Sequence, residues 1–280
     1  MNAMPAMNVD AKADFRLITP GLADAMLKSN TNNRNLRATH VNEMVRDMQA
    51  GKFQMNGDAI RFDRNGTLLD GQHRLHAISK SGRAQTMLVI EGLDPESMKT
   101  IDGGVKRTNG DRLSIHGVKN GAMVAAMISI LNVLARNNFN VRMTPQEIFD
   151  VYDRHPSLAR SAKEANGTAY GLASILGAFH YVGHLNGYGE LVDEFVTTFK
   201  TGFSKTPRDP ALTARERIIR MKASPEKPHR DYIIAVVATA WEAKRTGREL
   251  QTIRPAGYTT SPRIHGWSLN DLLRPQDSFC

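Results

Sequence analysis

The residues Asp70-Gly71-Gln72-His73-Arg74 combine the side chains that bind phosphate where a strand turns into a helix. An apolar stretch over 60–69, bent at Asn65-Gly66, precedes them, and a helix-like stretch follows. A helix N-terminus carries unpaired N–H groups and a partial positive charge, so it attracts anions. Gly71 lets the backbone come close to a ligand, and Arg74 offers a fork of donors. The alternative is an ordinary connection in which Asp70-Gly71 caps the helix and His73 and Arg74 are solvated.

A second turn with glycines and basic residues spans 101–111. Lys106 and Arg107 supply positive charge, and Thr108 with Asp111 is typical of a helix cap ahead of Leu113. Two such turns in one small domain predict two phosphate-binding segments. Their candidate residues are Gly71, Gln72, His73, Arg74, Lys106, Arg107 and Thr108. For the second turn the alternative is a basic surface loop.

Asp70 and Asp102 are the candidate catalytic carboxylates, because each lies at the mouth of one basic turn. Phosphoryl transfer needs a metal ligand and a base near the acceptor hydroxyl, and Asp70 is the candidate ligand for Mg²⁺. Both aspartates are equally well explained as turn or capping residues. His73 and His76 are three residues apart, but we can place no third zinc ligand beside them. His73 is therefore interpreted as a phosphate-binding or structural hydrogen-bonding group.

The 280-residue chain carries a formal net charge of +9, which favours an anionic partner such as nucleic acid or a nucleotide. Residues 200–230 include nine basic residues and only three acidic ones, so this segment can follow a nucleic-acid backbone. Solvated helix faces and a loop are the alternative. The candidate nucleic-acid-binding residues are Lys205, Arg208, Arg215, Arg217, Arg220 and Lys222.

The elements predicted to position these residues form an α+β protein. Helices are expected over 20–28, from 36 to Gly51 and over 72–81, with strands over 58–63, 67–69 and 85–91. From residue 122 onward the pattern is helical, and Thr144-Pro145-Gln146-Glu147 is a capping box with proline at N1. We expect a disordered N-terminus over 1–14, a domain with a small mixed sheet over 15–118 and a helical domain over 119–280.

A glycine-flanked helix near 177–187 brings His180, Tyr181 and His184 together, where they can line a site. Helix packing is the favoured explanation for these residues. The single cysteine, Cys280, predicts neither a disulfide framework nor a thiolate metal cluster. The sequence has no signal-peptide pattern and no apolar run near the ~18 residues of a membrane span. We expect a cytoplasmic protein, in the host cytoplasm if the chain is phage-encoded, with no membrane partner.

Asp70-Gly71-Gln72-His73-Arg74, with Ala77 following, resembles the signature of the ParB/sulfiredoxin superfamily. The resemblance covers roughly residues 15–116 and is greatest to phage and prophage ParB-like proteins with an Asp-Gly-Gln-His-Arg core. It implies a strand that ends at a glycine and a helix that holds nucleotide phosphates. By position, Gly71 and Arg74 match the shared phosphate-binding residues, and Lys106-Arg107-Thr108 is the implied second clamp. The helical remainder resembles no family that we can name.

Members of the superfamily follow different chemistries. Partition proteins are CTP-hydrolysing DNA clamps, sulfiredoxins use ATP to phosphorylate a cysteine sulfinate, and one relative is a free-serine kinase. Members encoded beside DNA-hypermodification enzymes have been proposed to phosphorylate hydroxymethylated bases. Gln72 and His73 stand where partition proteins usually carry glutamate and arginine, which weakens the CTP-clamp interpretation. The turn has no cysteine, which argues against sulfinate reduction.

The resemblance implies a nucleotide-binding protein that acts on or near DNA, with ATP or CTP and Mg²⁺ as cofactors. The leading hypothesis is a phosphotransferase or NTPase, and its sharpest form is a phage DNA-base kinase. One alternative is a non-catalytic ParB-like DNA-binding or regulatory protein that uses nucleotide as a switch. Another is a phage structural or host-takeover protein that retains only the fold.

Overall fold

The computed structural model describes residues 11–31, 33, 35–99, 101, 107–226, 228–254 and 263–276. Asp102 and Lys106 lie outside the described residues, as do residues 1–10 of the predicted disordered N-terminus. The chain divides into two compact units, residues 1–106 and 107–280. The boundary between the units therefore comes earlier in the chain than the predicted one after residue 118. The reason is that Leu113 and Val118 are buried in the core of the second unit.

The first unit contains a four-stranded mixed sheet with strand order β1-β4-β2-β3. Strand β1 pairs antiparallel with β4, β4 pairs parallel with β2, and β2 pairs antiparallel with β3. A short 3₁₀ helix, Pro95–Lys99, follows β4. The elements are β1 (Lys12–Ile18), α1 (Pro20–Leu27), α2 (Ala38–Gln49), β2 (Ala59–Asp63), β3 (Leu68–Asp70), α3 (Gln72–Ser81) and β4 (Gln85–Leu93).

Local sequence accounts for the hairpin between β2 and β3. Asp63 Oδ1 accepts the N–H groups of Asn65 and Thr67, each at 2.8 Å, and Gly66 takes the positive φ of 80° that the turn requires. Apolar residues of all four strands and of the three helices form the core of this unit. One expectation is corrected: residues 12–14 were placed in a disordered N-terminus, but they belong to β1 because they pair with Val89–Glu91 of β4.

The second unit is helical in its described residues, and the predicted α+β class is confirmed. Its elements are α4 (Asn109–Ile115), α5 (Gly121–Arg136), α6 (Pro145–Arg154), α7 (Leu158–Ala165), α8 (Ala173–Leu185), α9 (Gly189–Thr201), α10 (Pro210–Ala223), α11 (Arg230–Arg245) and α12 (Leu269–Leu273). The predicted capping box is present, since Thr144 and Glu147 exchange hydrogen bonds at the start of α6. None of the helices in the described ranges has both the length and the apolar character needed to cross a bilayer.

Candidate functional site

The predicted phosphate-binding turn lies where β3 passes into α3. Asp70 ends the strand, Gly71 is the N-cap residue, and the helix begins at Gln72. Gly71 has φ 106°, and a Cβ built on it would lie 3.1 Å from both Cα and Cγ1 of Ile60 in β2. Glycine is therefore required here by the positive φ and by the approach of the neighbouring strand.

Two arginines converge on the carboxylate of Asp70. Arg61 Nη1 donates to Asp70 Oδ2 at 2.6 Å, and Arg74 Nη2 donates to the same oxygen at 2.9 Å. The other oxygen, Oδ1, accepts the N–H of Gly71 at 2.7 Å. Sequence reasoning missed Arg61, although the signal was available, because a hairpin turning at Asn65-Gly66 sets Arg61 opposite Asp70. At the start of α3, the Asp70 carboxylate thus accepts hydrogen bonds from two guanidinium groups and one backbone N–H.

Arg74 is also bound to the chain that leads into β2. Its Nη2 donates to the Ala59 carbonyl at 2.8 Å, and its Nη1 lies 3.4 Å from Asp58 Oδ2. The Arg74 side chain is only 13% exposed, so it is not solvated as the capping alternative supposed, whereas the Asp58 side chain is 65% exposed. Arg74 therefore tethers α3 to the start of β2, and its Nη1 lies near the exposed carboxylate of Asp58.

Gln72 and His73 are buried and hold the segment between α1 and α2. Gln72 Oε1 accepts from Asn30 Nδ2 at 3.2 Å, and His73 Nε2 accepts the N–H of Arg37 at 3.1 Å. Because His73 Nε2 is an acceptor, any proton on a neutral His73 ring is carried by Nδ1. These contacts fit the interpretation of His73 as a structural hydrogen-bonding group. A phosphate-binding role for Gln72 and His73 stays a prediction.

Residues 107–111 of the second basic turn belong to the second unit. Thr108 caps α4: its Oγ1 accepts the Asp111 N–H at 3.1 Å, and Asp111 Oδ2 accepts the Thr108 N–H at 2.8 Å. Hydrogen bonds from the Thr108 side chain and backbone lower the pKa of Asp111. The predicted cap is confirmed. Arg107 is exposed, and phosphate binding by Arg107 and Thr108 stays a prediction.

The six basic residues predicted to bind nucleic acid fall into two groups. Lys205, Arg208 and Arg220 are exposed. Arg215 donates from Nε to the Phe199 carbonyl at 3.1 Å, and Lys222 donates to the Tyr170 carbonyl. The members of this second group, which includes Arg217, stabilise the helical unit through contacts within the chain.

Arg217 and Arg220 line a cleft of about 350 Å³ beside α10. Arg217 Nη2 donates to the Tyr232 hydroxyl at 2.9 Å, and its guanidinium carbon lies 5.9 Å from the centre of that ring. Arg217 Nε is buried and has no hydrogen-bond partner among the described residues. The polar residues that complete the lining are Thr213, Ser224, Gln251 and Thr252. Thr213 donates its hydroxyl proton to the Leu250 carbonyl at 2.8 Å, so the donors left for an anion are the two arginines, the hydroxyl groups of Ser224 and Thr252, and the Gln251 amide.

Comparisons with protein-family models, with curated proteins and with solved structures found no match for this chain. The resemblance to the ParB/sulfiredoxin superfamily therefore stays a prediction that depends on the residues of the Asp70–Arg74 turn.

Proposed function

We propose that the protein binds ATP or CTP at the Asp70–Arg74 turn and acts on or near DNA in the cytoplasm as a phosphotransferase or NTPase. Its sharpest form is a phage DNA-base kinase. The observation that carries the proposal is the convergence of Arg61 and Arg74 on Asp70 at the start of α3. A turn that already holds a carboxylate on two guanidinium groups has the donors that a phosphate group needs.

The phosphate is expected beside Asp70, on the Nη1 edge of Arg74. That edge lies 3.4 Å from Asp58, whose exposed carboxylate is the group that an incoming phosphate would displace. The surroundings of Asp70 do not fit a magnesium ion, because both carboxylate oxygens accept hydrogen bonds and two cationic groups adjoin one of them. We expect magnesium to be bound by the nucleotide phosphates as their counter-ion.

The proposal is tested with labelled ATP and CTP, with and without Mg²⁺, and with modified or unmodified DNA as phosphoryl acceptor. We expect magnesium-dependent turnover that Arg74→Ala abolishes, with the fold of the variant checked by circular dichroism. Turnover that survives in Arg74→Ala would remove the proposed role of this residue.

A second pair of variants separates phosphate binding from a purely structural role of Arg74. Asp58→Asn removes a carboxylate that competes for the Arg74 edge, and we expect about fivefold tighter nucleotide binding, from about 1 kcal/mol of lost repulsion at low salt. Asp94→Asn is the matched control, because Asp94 is an exposed aspartate paired with Arg64 in the same unit. Equal affinities of the two variants would count against a phosphate on Arg74.

A non-catalytic DNA-binding or regulatory protein is the second candidate function, and the basic cleft of the helical unit favours it. DNA binding by this unit should weaken steeply with salt, because lysine and arginine contacts to phosphate release counterions. Arg220→Ala should reduce the slope of log affinity against log salt by about 1, whereas Arg83→Ala, an exposed arginine of the first unit, should leave it unchanged. DNA binding without phosphoryl transfer would favour this candidate over the enzyme.

A further inference from the structure

Two histidines and an aspartate of the helical unit direct one atom each toward a common point. His180 and His184 are four residues apart on α8, so they lie on one face of that helix. His180 Nε2 lies 2.9 Å from Asp193 Oδ1, and His184 Nε2 lies 2.8 Å from the same oxygen. The three side chains thus present two imidazole nitrogens and one carboxylate oxygen together.

Glycines let α8 and α9 approach closely enough for this arrangement. A Cβ on Gly183 would lie 2.7 Å from the Cβ of Val192, the residue that precedes Asp193. A Cβ on Gly189 would lie 3.1 Å from the ring of His184. Any larger residue at Gly183 would push the helices apart. The close packing of this helix pair therefore sets the three polar atoms within reach of one another.

The second ring nitrogen of His180 has a partner of the kind that metal-bound histidines have. His180 Nδ1 lies 2.9 Å from the hydroxyl of Ser161, which is fully buried on α7. A ligating histidine needs this kind of partner, because a donor contact from Nδ1 orients the ring and leaves Nε2 free of a proton.

Exposure differs across the cluster in a way that suits an open metal site. The side chains of His180 and His184 are 3% and 14% exposed, whereas that of Asp193 is 55% exposed. Tetrahedral ligands about 2.0–2.1 Å from zinc lie roughly 3.3 Å from one another, so an ion fits if the exposed Asp193 carboxylate withdraws by about half an ångström. The fourth position would face solvent and hold water.

We propose that His180, His184 and Asp193 bind a divalent transition-metal ion of the zinc class, with a fourth position left for water or a ligand oxygen. Two imidazoles and one carboxylate with an open position are the ligand set of catalytic zinc and of non-haem iron sites. This site lies within the helical unit and is independent of the proposed nucleotide site.

The test is a Zn²⁺ titration of the tag-free, chelator-treated full-length chain, followed by calorimetry and by competition with a chromophoric chelator. We expect one ion per chain, and Asp193→Ala should weaken its binding by roughly 100-fold or more, because loss of a partner that only supports a ligand already costs about 10- to 100-fold. The aspartate is exposed, so this variant should fold. Glu190→Ala, a carboxylate change on the same helix, is the matched control and should bind zinc as the natural chain does.

The visible absorption of bound Co²⁺ reports directly on metal coordination, and a change in folding stability alone does not reproduce it. Co²⁺ in the site should show the visible absorption of a four-coordinate ion, and His184→Ala should abolish that absorption. Cys280→Ser should leave it unchanged, which separates the site from the one thiol of the chain. The absence of stoichiometric zinc binding, or equal zinc affinity in Asp193→Ala and Glu190→Ala, would overturn the proposal.

Discussion

Gly71→Ala is the substitution that measures how far the signature turn depends on glycine for folding. An alanine at positive φ costs roughly 1–2 kcal/mol, and the reduced freedom of the unfolded chain returns about 0.4–1 kcal/mol. The new Cβ would also lie 3.1 Å from the Cα and Cγ1 of Ile60, and overpacking of this kind costs about 1–3 kcal/mol. The middle values of these ranges give an expected loss of folding stability of about 3 kcal/mol.

Gly82→Ala is the matched control. Gly82 ends α3 at φ 68°, and a Cβ built on it meets nothing within 4 Å. Its cost should be only about 1 kcal/mol, because the unfolded-state term is the same and the overpacking term is absent. The excess cost at Gly71 measures the contact with Ile60, together with the larger departure of φ from the ordinary left-handed region.

Amide hydrogen exchange is the suitable assay, because Trp241 and Trp267 both lie in the second unit and their fluorescence does not report on this turn. Exchange across residues 59–81 should accelerate roughly 100-fold in Gly71→Ala, since each 1.4 kcal/mol is a factor of ten. Peptides of the second unit serve as the internal reference. An equal effect of Gly71→Ala and Gly82→Ala would refute the argument from Ile60.

Three further outcomes test the helical unit. Thr144→Ala should cost about 1 kcal/mol in denaturant unfolding, because it removes the side-chain cap of α6. Lys244→Met should cost about 3–5 kcal/mol in the same measurement, since the Asp209 carboxylate, which is 2% exposed, loses its cationic partner at 2.6 Å and keeps only neutral donors. Burial lowers the pKa of His155 below its ordinary 6.5, so the unfolded chain takes up this proton at a higher pH than the folded chain does. Stability should therefore fall as pH drops below 6.5, with Trp267, whose ring centre is 5.7 Å away, as the reporter, and His155→Gln should flatten this part of the profile.

The order of helices and strands was predictable because the sequence patterns that determine it are local. Asn65-Gly66 between apolar runs predicts the hairpin, and the Thr144 capping box begins α6 at the expected residue. The start of β1 was not predictable in this way. Residues 12–14 are polar or small, and they form a strand only because β4 lies beside them with free edge groups to pair. Tertiary pairing decides such segments.

The candidate site was predicted less completely, for a related reason. The sequence identifies Asp70, Gly71 and Arg74 but does not show which groups these residues contact. Arg61 and Asp58 complete the turn, and both come from the far side of the hairpin. The histidine cluster was likewise assigned to packing, because Asp193 lies nine residues beyond His184 and joins it only through the contact of two helices. A set of ligands that comes from different helices or strands can be recognised only once the fold is known.

The charges around the Asp70–Arg74 turn connect its structural role with its proposed one. Arg61 and Arg74 face Asp70 and Asp58, so the group is formally neutral, and a folded chain without ligand carries no unpaired charge there. The two carboxylates differ in exposure: Asp70 is 20% exposed and holds the turn together, whereas Asp58 is 65% exposed and makes the longer contact with Arg74. Displacement of Asp58 by phosphate would therefore leave the Asp70 contacts and the fold intact. This difference between the two aspartates would allow Arg74 to bind the proposed phosphate without giving up its role in the fold.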